Sequence, residues 1–220
     1  MSVLVDLLVL GLVVGGLVGL LLLVGRAGMR RRAGVAERVQ QAGWTYVGVD
    51  LQPSLLGRWP GTPFDFWPAQ VCDVVVGQWR GRPMVAFEHV HRISRRVPAV
   101  SHHVVAVPLP APVPTLELAY VGPGPGAGYG PAEFHRVWRV DCADEAFAHE
   151  LLTPRVVQRL LAPDAAGALV RFTGTDVLSI ERAPAWPERV APRLELLADL
   201  LDLVPAQVWQ RRVGGPAQGW

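Results

Sequence analysis

The 220-residue chain contains no lysine and no asparagine, and isoleucine occurs only at Ile93 and Ile180. Residues with AT-rich codons are missing together while Ala, Gly, Pro, Val and Arg abound, so the bias reflects a GC-rich genome rather than a functional demand. Without Asn there is no N-glycosylation sequon. The two cysteines, Cys72 and Cys142, form no CxxC pair and read as packed thiols, kept reduced in a cytoplasmic domain. Catalytic signatures are also missing. There is no HExxH, and none of the five serines (2, 54, 94, 101 and 179) lies in GxSxG or SxxK. Residues 122–131 (GPGPGAGYGP) fail the GxGxxG register, because Ala127 or Tyr129 stands where the third glycine belongs. Their prolines remove amide donors that a phosphate needs, so this stretch reads as a surface loop and not as a nucleotide site.

The formal net charge of +2 is unevenly placed. Residues 1–38 carry a balance of +3 and the remainder a balance of −1. The main domain therefore has no electrostatic footprint for nucleic acid.

What is present begins with Val3 to Val24, an apolar run of 22 residues broken only by Asp6. As a helix it reaches about 33 Å, enough to cross a hydrocarbon core of about 30 Å. Arg26, Arg30, Arg31 and Arg32 follow directly and face lipid headgroups, each contributing about 1 kcal/mol near an anionic surface. Positive charge on this side holds the C-terminal part in the cytoplasm, with the N-terminus outside. A cleaved signal peptide, the alternative, carries its charge before a shorter apolar core. Gly11, Gly15 and Gly19 form a stripe on which a second copy of the helix can pack, giving a homo-oligomer. The expected organisation is a transmembrane anchor (1–25), a basic juxtamembrane helix (26–43), a cytoplasmic domain (44–205) and a C-terminal tail (206–220).

Along the domain, residues 34–42 have a helical composition closed by Gly43, and a strand starts at Trp44. Residues 51–70 are loop-like and proline-rich, yet hold Trp59, Phe64, Phe66 and Trp67, which either cover a core or rest on a membrane interface. Residues 72–79 and 84–92 form a hairpin turning at Arg80-Gly81-Arg82. Residues 102–109 and 115–120 read as two strands separated by prolines, and 134–140 as another. Asp144 and Thr153-Pro154 start two helices. Residues 169–173 and 177–181 flank Gly174 as a second hairpin, and Leu194, Leu197, Leu200, Leu201 and Val204 mark a closing helix. The whole predicts an α+β fold: a transmembrane helix, then a mostly antiparallel sheet of roughly seven to eight strands with helices on one side.

Histidine supplies the one constellation with chemical potential. His89 and His91 share a strand face, and a connection over 93–100 brings His102 or His103 opposite them. Three imidazoles, from His89, His91 and His103, could hold a zinc ion at about 2 Å. The same histidines also continue the face of Val85 and Phe87 and serve equally as a semi-buried sheet edge. No cofactor is otherwise implied.

Gly43-Trp44-Thr45-Tyr46, Arg58-Trp59-Pro60-Gly61-Thr62-Pro63-Phe64, Val75-Val76-Gly77 with Ala86-Phe87, Val104 to Leu109, Phe134 to Val140 with Phe147, Leu151 to Arg155, and Val204-Pro205 with Trp209 form a pattern across most of the chain. The pattern resembles a family of uncharacterised single-pass membrane proteins from high-GC actinobacteria. That resemblance implies an anchored domain without assigned activity, and it carries over no functional residues. The leading expectation is a membrane-tethered scaffold whose partners are the lipid bilayer, a second copy and an unidentified protein. A histidine-dependent metal or hydrolytic enzyme and an exported envelope domain are the alternatives.

Overall fold

The computed structural model describes residues 34–48, 55–94, 96–122, 132–184 and 187–212. The apolar run, its glycine stripe, Arg26 to Arg32 and most of the glycine-proline loop lie outside them. Among the described residues no helix is long and apolar enough to cross a membrane.

A helix over 34–41 (α1) opens the described chain and ends at Gly43, whose φ of 78° suits glycine. Strands β1 (Thr45–Gly48), β2 (Ala69–Trp79) and β3 (Arg82–His91) then pair as antiparallel neighbours. The β2–β3 turn needs only Arg80 and Gly81, both at positive φ (48° and 76°), the geometry that matches strand twist.

β4 (Val100–Tyr120) is the spine. Its first part pairs with β3, its last part with β5 (Trp138–Cys142), and β6 (Leu169–Glu181) runs antiparallel along it from His103 to Ala119. The sheet thus has six antiparallel strands. Two expected strands are one here. Pro108, Pro110, Pro112 and Pro114 fall between Ala106, where pairing with β3 stops, and Leu116, where pairing with β5 starts. Alternate residues of a strand send their amides to the same edge, so these prolines cost the ladder little where neither strand docks. β6 likewise replaces the expected second hairpin. At Gly174, with φ 54°, the strand runs on instead of turning back, and the extra residues of the register shift lie opposite it in β4.

Helices α2 (Ala132–Val137), α3 (Glu145–Leu151), α4 (Pro154–Leu160), α5 (Pro187–Leu203) and α6 (Ala206–Gln210) complete the α+β fold. Asp144 and Thr153 cap α3 and α4 by accepting from the amides of Phe147 and Val156. The expected strand over 134–140 is half helix. α2 buries Phe134, and β5 begins only at Trp138, whose indole N–H donates to Leu160 O at 3.0 Å. The expected tail also contributes to the core, since Val208 and Trp209 of α6 are buried.

The sheet has two differently covered faces. Over one, Phe147, Leu151, Leu160, Leu194 and Leu197 from the helices form the larger core with Val105, Leu116 and Phe172. Burying each such side chain stabilises by about 1.5–3 kcal/mol. Over the other, residues 55–68 lay Leu55, Trp59 and Phe64 on Phe87, Val104 and Leu178, a second core without a helix. The aromatic segment therefore covers a core; only Trp67, 81% exposed, faces outward.

Gly77 lies against Trp44, where an added Cβ would come 2.6 Å from the indole Cδ1. Gly77→Ala should overpack this contact and cost about 1–3 kcal/mol, read as a lower urea midpoint with unchanged slope.

Candidate functional site

The face under residues 55–68 also gathers the histidines. β3 alternates, so Phe87, His89 and His91 share this face. Register with β4 places His102 directly opposite His89. One nitrogen from each of His89, His91 and His102 lies within 4.8 Å of the others. His103, the next residue of β4, points to the helix side, opposite Glu88 and Glu181. The third imidazole of the cluster is thus His102, and His103 stands apart from it.

Aromatic rings from the covering segment wall the cluster. Phe66 stacks on His91 with centroids 4.3 Å apart, and His91 in turn stacks on His102 at 5.2 Å. Phe64 meets His89 edge-on at 5.3 Å. Both ring nitrogens of His89, and Nδ1 of His91 and of His102, are buried without a hydrogen-bond partner. Burial, reinforced by the neighbouring His91, pushes His89 down to about 4. Burial does the same to His102, helped by His91, His89 and Arg182. His91 is lowered by burial and then by Arg182. Each shift favours the neutral ring, the state in which imidazole offers a lone pair.

Two other constellations lie on the helix side. Cys72, Asp73 and Glu88 approach one another where β2 bulges, with Asp73 at φ 51°. Their polar atoms are engaged: Tyr46 Oη donates to Asp73 Oδ1 at 2.6 Å, and Cys72 Sγ donates to Glu88 Oε2 at 3.7 Å. This set fixes the bulge against β1. Ser179, His103 and Glu181 share the same side, a grouping that only the β4–β6 register reveals. Ser179 Oγ and both nitrogens of His103 make no hydrogen bond, and Glu181 is held by Arg189 and Arg193. With Ser179 1% exposed, the grouping offers neither an activated nucleophile nor access for a substrate.

What positions the covering segment is a pair of charged residues on β6. Arg171, 2% exposed, donates to Pro60 O at 2.8 Å and Thr62 O at 2.6 Å, and its Nε donates to Glu117 Oε2 at 3.0 Å. Asp176 accepts from the Trp59 indole at 3.0 Å and from Arg58 Nη2 at 3.0 Å. Gly61 lies directly over the Arg171 guanidinium, where a Cβ would sit 3.4 Å from it. Arg171→Met should leave two carbonyls and a carboxylate unanswered, costing about 3 kcal/mol. The loss should appear first as faster amide hydrogen exchange in residues 59–66, before the helix-covered core opens.

Neither a protein-family model nor a curated protein matches this chain. Among solved structures it is similar to the mycobacterial trehalose monomycolate transport factor A, TtfA, with a TM-score of 0.57 and 20% identity. The match covers 79% of this chain and 92% of that one. The two chains share a fold.

Proposed function

We propose that this chain is a membrane-tethered domain on the cytoplasmic side that works by binding protein partners in support of envelope-lipid transport, without catalysing a reaction. The observation that carries the reading is how tightly the domain is joined to the basic cluster. Gly34 already lies in α1, and the chain between Arg32 and Gly34 can extend no more than about 7 Å. Val35 and Val39 of α1 are buried in the helix-side core, and Arg38 pairs with Glu188 of α5. A domain so joined to a membrane-spanning helix works at the bilayer surface, with the Arg26 to Arg32 cluster among the headgroups.

The shared fold with a trehalose monomycolate transport factor supports an envelope-lipid role. The engaged or inaccessible state of the polar clusters on the helix side supports a binding role over hydrolysis. The glycine stripe at Gly11, Gly15 and Gly19 gives the anchor a surface for self-association.

Reporter fusions after Trp220 test the tethering. A cytoplasm-active reporter should signal and an export-active one stay silent; the reverse pattern overturns the orientation. Gly15→Leu should lower the yield of crosslinked dimer in membranes several-fold, and an unchanged yield removes the self-association.

A further inference from the structure

We infer that His89, His91 and His102 together bind one divalent transition-metal ion of the zinc class on the sheet face covered by residues 55–68. The geometry is set by the backbone. His89 and His102 are a directly opposed pair on adjacent strands, and His91 follows His89 on the same face. Their candidate nitrogens already lie within 4.8 Å of one another. Tetrahedral zinc holds imidazole nitrogens at about 2.0–2.1 Å, and so about 3.3 Å from each other. Binding requires the rings to turn to close that difference, with His91 leaving its stack between Phe66 and His102.

The chemistry agrees with the geometry. Four buried ring nitrogens of the cluster have no hydrogen-bond partner, and each is costly to leave so. A cation that accepts one lone pair from each ring removes that cost for at most three of the four. The donor set is all imidazole, with no thiolate, which suits zinc, copper or nickel and disfavours calcium and magnesium. His102 is the half-exposed member and gives the ion its path in, while Phe64 and Phe66 close the other side. Three neutral ligands leave the ion its full charge and a fourth position for water or an anion. Arg182, exposed just after β6, is a cation near this cluster and opposes binding. This inference does not depend on the tethering proposed above.

The full-length chain, purified in detergent without a histidine tag and stripped with chelator, provides the test. Equilibrated with Zn²⁺ and desalted, it should retain one zinc per chain by elemental analysis. His102→Gln should lose that zinc, and His103→Gln, one residue away on the opposite face, should keep it. Substituting Co²⁺ in the unaltered chain should give the intense visible bands of tetrahedral nitrogen coordination, a readout independent of whether any variant folds. Zinc well below one equivalent, zinc retained when both His89 and His102 are replaced, or the weak spectrum of octahedral Co²⁺ would each overturn the inference.

Discussion

Beneath the 55–68 segment, the Arg171 guanidinium meets two backbone carbonyls and one carboxylate at once. A segment without helix or strand has few internal partners for its carbonyls, and each one left buried and unanswered costs free energy. Arg171 resolves this from the sheet side, while Glu117 across the strand pair balances its charge. The consequences spread outward. With Pro60 and Thr62 fixed, Trp59 and Phe64 seat on Phe87, Phe66 reaches His91, and the sheet acquires its second dry face. A fold of this size gains a second core from about a dozen residues of loop because one buried cation organises them.

Three irregularities decide which residues see which face. In β2 the bulge at Asp73 lets Val71 and Val74 point the same way despite odd spacing. In β4 the helix-facing positions change from odd (Val105, Val107, Ala111, Val113) to even (Leu116, Leu118). β6 makes the matching change around Gly174, from Val177 to Phe172 and Val170. The two long strands thus switch together, which keeps a continuous helix-side core under a bent sheet.

These devices mark where the sequence is readable. The β2–β3 hairpin, the caps at Asp144 and Thr153, and the closing helix all follow from local chemistry, and local chemistry prevails there. The continuity of β4 through four prolines does not, because a proline's effect depends on whether a neighbour needs its amide, and that is a tertiary fact. Gly174 reads as a turn, and only pairing with β4 shows that the strand runs through it. Phe134 and Trp138 look like strand residues, yet they belong to successive elements that bury them side by side. In the histidine cluster, two-residue spacing is enough to put His89 and His91 on one face. The choice of His102 over His103 rests on a one-residue register across a loop. No short-range signal reports it, and none reports that Phe64 and Phe66 would close over the rings.

α1 gives the molecule a mechanical character. A helix hung on a long flexible linker moves independently of the domain that follows it. Here the first helix is wedged into the core by Val35 and Val39 and clipped to α5 through Arg38. A force applied at residue 34 is therefore carried through these contacts to α5 and the sheet, and the helix and the domain move as one piece.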